Sequence, residues 1–185
     1  MRKKEFLYLS AVILVAVLSA VVSSVITNTL MRPNAYEEFY TVETQVSVSP
    51  SDYVDKINSG SNDSILVDLR SSGEYATQHL KNAINIPAIE MSRSEVVAAF
   101  RMLPKNKEII TYCYSSYCTL SRQVGKTLAD NGIYVKHMTA GWLELKRDYS
   151  QYITNETTAS GIPENLLGGG TCSASALSNG SDFSC

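Results

Sequence analysis

The sequence predicts an α/β domain with a central, mostly parallel sheet, preceded by an N-terminal transmembrane helix. Two patterns support this fold class. Short apolar strands alternate with helical segments through the middle of the chain, and strands separated by helices are usually parallel. Before them runs an uncharged apolar segment, residues 6–30. At about 1.5 Å per residue this segment is long enough to cross a bilayer core of about 30 Å.

Composition divides the 185 residues into four segments. We expect an N-terminal signal anchor or transmembrane helix at 1–30, a polar linker at 31–44, a folded domain at 45–150 and a disordered tail at 151–185. The tail is rich in Ser, Gly and Asn and has few apolar residues. The remaining length of about 105 residues suits one compact domain with its own core.

Basic residues at positions 2–4 precede the apolar segment. They favour a cytoplasmic N-terminus, and the folded domain would then lie outside the cytoplasm. A cleaved signal peptide is the rival interpretation, because the most apolar part is only 11–22 and Ser19-Ala20 resembles a weak cleavage site. Cleavage would give a secreted protein. We favour the uncleaved anchor, because valine and isoleucine continue past Ala20.

Local signals define the elements of the domain. Residues 49–52, Ser-Pro-Ser-Asp, predict a helix start with proline at the first helical position, and Gly60 ends that helix. Residues 92–95 form a capping box that opens a second helix, which lasts until Pro104. The predicted strands are 65–69, 84–86, 109–113 and 134–138.

Cys113 is the candidate reactive residue, because it ends a short apolar strand and is followed by a polar loop and a helix. Leu120, Val124 and Leu128 share one face of that helix, and Asn131-Gly132 ends it. The amides of such a turn, together with the helix N-terminus, stabilise a thiolate. The alternative interpretation is that Cys113 is a small buried residue ending a strand.

Four further motifs occur in a recognisable order. They are Ile65-Leu66-Val67-Asp68-Leu69-Arg70 with Glu74-Tyr75, then His79 to Pro87, then Asn131 to Val135, and finally Ala140-Gly141-Trp142. In this order, across roughly residues 40–150, the motifs resemble the signature of the rhodanese domain family. The resemblance implies a three-layer fold around the central sheet.

The resemblance also implies a sulfurtransferase. In such an enzyme Cys113 takes a sulfane sulfur from a donor, carries it as a persulfide and passes it to a thiol acceptor, without a metal or an organic cofactor. Asp68 and Arg70 would support the active-site loop, and we favour a loop-fixing role for this pair. The amides of the loop would cradle the persulfide. The loop residues are Tyr114, Ser115, Ser116, Tyr117, Cys118 and Thr119.

The loop departs from the family pattern at two positions. Common rhodanese loops carry glycine and arginine where this chain has Ser116 and Cys118. Because a guanidinium binds an oxyanion through two hydrogen bonds, its loss puts thiosulfate in doubt as the donor. A polysulfide or a protein persulfide is equally plausible. Related phosphatases need arginine at the position of Thr119, so we reject that activity.

Cys118 provides an alternative function. It is a possible resolving thiol that forms a reversible disulfide with Cys113, which would make the domain a non-catalytic or thiol–disulfide redox-switch module. In an oxidising compartment Cys172 and Cys185 would pair with each other or with another chain. Alternatively, the tail carries one of these thiols to Cys113.

Charge and cysteine spacing argue against two other classes of function. The formal net charge is −2, and no basic cluster follows the first four residues, so we expect no nucleic-acid partner. The four cysteines lack the paired short spacing of zinc fingers, so we expect no metal site. The partners we expect are a sulfane-sulfur donor, a thiol acceptor and a membrane that binds residues 6–30.

Overall fold

The structure, a computed structural model, describes residues 3–30, 34–155 and 182–183. The chain forms two compact units, Met1–Glu43 and Thr44–Cys185. The helices are α1 (Lys3–Leu30), α2 (Ala35–Val46), α3 (Pro50–Asn58), α4 (Ser72–Thr77), α5 (Arg93–Arg101), α6 (Leu120–Ala129) and α7 (Trp142–Asp148). The strands are β1 (Ser47–Val48), β2 (Ser64–Asp68), β3 (His79–Leu80), β4 (Ala83–Asn85), β5 (Glu108–Tyr112), β6 (Lys136–Met138) and β7 (Ile153–Thr154). Short 3₁₀ helices cover Ala88–Glu90 and Ser150–Tyr152.

Helix α1 is the predicted apolar segment. By length and composition, its residues Lys3–Asn28 are long and apolar enough to cross a membrane. A signal sequence near an N-terminus meets the same criterion.

The predicted linker 31–44 is helical from Ala35 onward, which the sequence analysis did not anticipate. Asn34 starts α2, because its Oδ1 accepts a hydrogen bond of 2.8 Å from the Glu37 amide. Tyr36, Phe39 and Tyr40 then recur at the three- and four-residue spacing of one helix face. Because most residues of this segment are acidic or polar, its composition did not indicate the helical periodicity.

The central sheet has the strand order β1-β6-β5-β2-β4, and all four pairings are parallel. This confirms the predicted parallel sheet. Strand β5 lies in the middle, between β6 and β2. Because parallel strands end at the same edge, the residue that follows β5 lies at the centre of that edge.

Two apolar clusters cover the opposite faces of the sheet and give three layers. On β5, Ile109 belongs to the cluster that contains α5 and α6 residues, whereas Ile110 belongs to the cluster that contains α3 and α7 residues. Successive side chains of a strand point to opposite faces, which explains this alternation. The three-layer α/β fold is therefore confirmed.

The predicted helix starts are accurate. Ser49 accepts the Asp52 amide at 3.1 Å, and Ser92 and Glu95 form a capping box. The predicted strand at 134–138 is too long, since only its last three residues, Lys136–Met138, are extended and paired. The other three strands begin and end one residue earlier than predicted.

The domain extends past the predicted boundary at residue 150. Ile153 pairs with Leu80 in a small antiparallel sheet of β3 and β7. Asp182 and Phe183 also contact the domain: the Arg93 amide donates to Asp182 Oδ2 at 3.0 Å, and Phe183 is buried in the core. Single apolar residues such as Ile153 and Phe183 do not stand out in a tail of mainly polar composition. The rest of the predicted tail, with Cys172 and Cys185, lies outside the described residues.

Candidate active site

Cys113 directly follows β5, the middle strand of the sheet, and the polar loop after it leads into α6 at Leu120. The structure thus has the strand, loop and helix that the sequence predicted around this cysteine. Its side chain is 3% exposed and belongs to the apolar cluster beneath α5 and α6. Cys118 is half-buried against the same cluster.

The prediction that this turn lowers the pKa of Cys113 is wrong in its net direction. The neighbouring Cys118 side chain raises the pKa of the Cys113 thiol most, and burial raises it further. The Ser121 hydroxyl and amide, in the first turn of α6, lower this pKa, as a helix N-terminus should. The raising effects dominate, so the net shift favours the neutral thiol. It donates a long hydrogen bond of 3.8 Å to the Cys118 carbonyl oxygen.

The predicted cradle of loop amides is only partly available to Cys113. The Ser116 amide donates to Glu144 Oε2 at 3.1 Å, and the Cys118 amide donates to the Ser115 carbonyl at 3.1 Å. Both bonds satisfy the amides within the folded loop. These two amides are therefore not available to the sulfur, whereas the hydroxyl and amide of Ser121 lie beside it.

Ser121 has a buried hydroxyl beside Cys113. Ser121 is only 5% exposed, so water cannot easily reach its hydroxyl. Among the described residues, its Oγ makes no hydrogen bond of conventional length. A buried polar atom without such a bond is costly. This hydroxyl is therefore positioned to donate to an anionic sulfur at Cys113, and the sequence analysis did not identify it.

Helix α7 holds the loop from the other side. The Trp142 amide donates to the Cys113 carbonyl at 2.7 Å, and the Leu143 amide donates to the Tyr114 carbonyl at 2.9 Å. A Cβ on Gly141 would lie 2.2 Å from the Ser115 nitrogen, so only glycine permits this approach. The Ala140-Gly141-Trp142 motif therefore packs against the start of the loop at Cys113.

Two carboxylates bind the loop, and the sequence analysis assigned neither to the site. Glu144 accepts hydrogen bonds from the Ser116 amide, from the Ser116 hydroxyl at 2.9 Å and from the Gly141 amide at 3.0 Å. Although partial burial acts to raise it, these bonds hold the pKa of Glu144 below its usual value. Glu74 Oε2 accepts a hydrogen bond of 2.7 Å from the Tyr114 hydroxyl.

The remaining loop residues have simpler positions. Tyr117 is exposed to solvent, which is the usual behaviour of a loop tyrosine. Thr119 is the N-cap residue of α6, and its hydroxyl accepts a hydrogen bond of 2.8 Å from the Gln123 side chain. Neither position indicates a direct role at the sulfur.

Asp68 and Arg70 form a buried ion pair at the end of β2, with Arg70 Nη2 at 2.7 Å from Asp68 Oδ2. The Tyr112 hydroxyl donates to the same carboxylate oxygen at 2.5 Å. Arg70 Nη2 also donates to the Gln78 carbonyl at 2.8 Å. These contacts join β2, β5 and the end of α4, and the loop-fixing role of the pair stays a prediction.

Comparison with known proteins identifies the family. Residues 49–148 match the family described as "Rhodanese-like domain". The HTH-type transcriptional regulator Rv0324 of Mycobacterium tuberculosis is 33% identical over 79 residues, which are 43% of this chain and 33% of the regulator. The chain thus spans about a third of that regulator's length.

Two solved structures are similar in fold. The BH2092 protein of Bacillus halodurans is 27% identical with a TM-score of 0.53, covering 64% of this chain and 83% of that one. A full-length protein from Lactobacillus plantarum is 16% identical, also with a TM-score of 0.53, covering 65% of this chain and 95% of that one. Because the family match covers more than half of the sequence, the chain belongs to the rhodanese-like domain family.

Proposed function

We propose that this chain is a membrane-anchored sulfurtransferase that carries sulfane sulfur as a persulfide on Cys113. The observation that carries the proposal is the position of Cys113 after the middle strand, with the Ser121 hydroxyl and amide beside its sulfur. Both Ser121 groups favour a negative charge on that sulfur. A sulfur that becomes anionic during transfer needs such donors in a site from which water is excluded.

The reaction takes place in two displacements. The Cys113 thiolate attacks the sulfane sulfur of the donor, a new S–S bond forms, and the donor's leaving group departs with the electron pair of the bond that breaks. An acceptor thiolate then attacks the outer sulfur, which regenerates the Cys113 thiolate. Because the pKa of Cys113 is raised, only a small fraction of the enzyme is ready for the first step at neutral pH.

Sulfide release in the presence of a dithiol tests this function. Full-length protein is mixed with an inorganic polysulfide and excess dithiothreitol, and the sulfide formed is measured. We expect Cys113→Ser to lose the enzyme-dependent rate and Cys118→Ser to retain it, because only Cys113 carries the sulfur. A rate that persists in Cys113→Ser would refute the proposed role of this cysteine.

Membrane anchoring is the second part of the proposal. It rests on the apolar helix α1 and on the basic residues at positions 2–4, which favour an N-terminus in the cytoplasm. We expect the protein to stay with membranes after alkaline carbonate washing, at the intact mass of the whole chain. A soluble protein shortened by roughly 20 residues would instead indicate a cleaved signal peptide and a secreted domain.

A thiol–disulfide switch is the second candidate function. The observation that favours it is that the Cys113 thiol lies 3.8 Å from the Cys118 carbonyl oxygen and that Cys118 packs against the apolar cluster that contains Cys113. A peroxide would oxidise Cys113 to a sulfenic acid and release water or an alcohol. The Cys118 thiol would then displace the sulfenic oxygen as a second water and form the disulfide. Under this alternative, peroxide yields the loop disulfide and polysulfide leaves no persulfide on Cys113.

A further inference from the structure

We propose that Glu144 makes the active-site loop select sulfane-sulfur donors of low negative charge over the dianion thiosulfate. The inference rests on the proposed sulfurtransferase function and names the class of donor that its site accepts. Its basis is the position of one carboxylate, which accepts hydrogen bonds from the Ser116 amide and hydroxyl, two groups of a kind that can hold an anion.

The Glu144 side chain occupies the polar groups of Ser116. One carboxylate oxygen accepts the Ser116 amide at 3.1 Å, and the other accepts the Ser116 hydroxyl at 2.9 Å. An amide and a hydroxyl placed side by side are a common way to hold an oxyanion. In this loop they already hold an anion from the protein itself. Ser116 is three residues from Cys113, so their Cα atoms are at most about 11 Å apart.

Helix capping explains only one of the contacts made by Glu144. Its bond from the Gly141 amide is the usual return contact of a capping box. Glu95 has the same position in α5, and its hydrogen bonds join it to Ser92, the N-cap residue of its own helix. The two hydrogen bonds that Glu144 accepts from Ser116 instead join α7 to the loop, 28 residues away in sequence.

The loop itself holds no cation that offsets this charge. Arg147 on α7 interacts with Glu144, but its guanidinium is exposed and pairs with Asp148 at 2.7 Å. The loop residues 113–119 include no Lys, Arg or His. The buried Arg70 is paired with Asp68 at 2.7 Å. A second carboxylate, Glu74, binds Tyr114 on the loop. Two carboxylates therefore bind the loop that follows Cys113, and each additional negative charge on a donor in this loop adds repulsion.

Two small donors isolate the effect of charge. In methanethiosulfonate a methyl group replaces one anionic oxygen of thiosulfate, so the charge falls from two to one while the transferable sulfur stays the same. With thiosulfate, the Cys113 thiolate takes the outer sulfur and sulfite leaves with the electron pair of the broken S–S bond. With methanethiosulfonate, methanesulfinate leaves in the same way. Both reactions produce the same persulfide.

The test compares the two loading rates in the full-length wild-type protein and in Glu144→Gln, which keeps the shape of the side chain. We expect the ratio of the thiosulfate rate to the methanethiosulfonate rate to rise about tenfold in the variant, because thiosulfate makes one additional like-charge interaction near the protein surface. The rate with methanethiosulfonate should change much less. A general disturbance of the loop would change both rates by the same factor, so the ratio reports charge selection.

Asp130→Asn is the matched control, because it also removes one negative charge. Asp130 lies at the C-terminal end of α6, a helix of ten residues and about 15 Å in length that begins next to the loop. This control should leave the ratio unchanged. Added salt provides a second measurement on the wild-type protein, since it should accelerate loading by thiosulfate more than by methanethiosulfonate. An unchanged ratio in Glu144→Gln, or equal salt effects for both donors, would overturn the inference alone. If neither donor loads Cys113 of the wild-type protein while inorganic polysulfide does, the inference fails and the proposed function stands; if polysulfide fails as well, both fail.

Discussion

The guanidinium carbon of Arg70 lies 4.0 Å from the centroid of the Trp142 ring. Arg70 follows the end of β2, and Trp142 is the first residue of α7, whose amide binds the Cys113 carbonyl. The contact therefore connects the buried Asp68–Arg70 pair to the helix that holds the reactive loop. Two motifs separated by more than half of the domain's sequence meet at one point beneath the active site.

Replacing Arg70 with Met tests this connection. The substitution leaves the Asp68 carboxylate buried without its cation and removes the contact with Trp142. We expect the free energy of unfolding in urea to fall by about 3–5 kcal/mol, the usual cost of breaking a buried ion pair. Arg147→Met is the control, since Arg147 pairs with Asp148 on the surface, and it should cause no measurable change. Equal effects of the two variants would show that the buried pair does not stabilise the fold.

Gly141 should be irreplaceable even by alanine. A Cβ there would lie 2.2 Å from the Ser115 nitrogen, so the loop or α7 must shift. We expect Gly141→Ala to slow persulfide formation at least about tenfold and to lower stability by about 1–3 kcal/mol. Gly125→Ala, inside α6, is the matched control, because its Cβ would meet only Val135 Cγ2 at an ordinary 3.8 Å. That variant should be stabilised by up to about 1 kcal/mol. Normal loading by Gly141→Ala would contradict the proposed approach of α7 to the loop.

The sequence was sufficient to predict what depends on local patterns. The apolar run before Cys113 and the four-residue spacing of Leu120, Val124 and Leu128 are local, and both the strand and the helix formed as predicted. The capping residues Ser92 and Glu95 are likewise close in sequence, and the capping box predicted for them is present.

Contacts between distant segments could not be predicted in this way. The bond between Ser116 and Glu144 joins residues 28 positions apart, and nothing near Glu144 distinguishes it from an ordinary capping residue. The sign of the pKa shift of Cys113 also depends on tertiary packing, because burial and the orientation of Cys118 determine it. Ser121 at the N-terminus of α6 lowers the pKa of Cys113, as predicted, but Cys118 and burial raise this pKa by more.

The reactivity of Cys113 should respond to its two neighbours in opposite directions. Cys118→Ala removes the largest cause of the raised pKa, so more thiolate forms at a given pH. We expect iodoacetamide to alkylate Cys113 about tenfold faster at pH 8 in this variant, as for a pKa lowered by about one unit. Ser121→Ala removes a group that lowers the pKa and should slow the reaction.

The pH profile provides the control for these variants. Because the pKa of Cys113 is raised, the wild-type rate should increase about tenfold per pH unit through the neutral range without reaching a plateau near pH 7. A plateau near neutral pH, or a slower reaction in Cys118→Ala, would contradict the assigned cause of the shift.

Phe183 should anchor the end of the chain to the domain. Its ring is 5% exposed and packs in the same apolar cluster as Cys113, while Asp182 accepts the Arg93 amide at the start of α5. We expect Phe183→Ala to lower the free energy of unfolding by about 2 kcal/mol, the value of burying one aromatic side chain. Tyr117→Ala removes an exposed aromatic ring and should change stability by less than about 0.5 kcal/mol. If the two variants cost the same, the burial of Phe183 contributes no net stability.

Mass spectrometry of the loop after exposure to polysulfide tests the central claim most directly. The full-length protein is treated with inorganic polysulfide, excess reagent is removed, remaining thiols are blocked, and the peptide that contains Cys113 and Cys118 is analysed. We predict one additional sulfur atom, about 32 Da, located on Cys113 and absent from Cys113→Ser. A peptide that only loses two hydrogen atoms, about 2 Da, through a bond between the two cysteines would contradict the sulfurtransferase account.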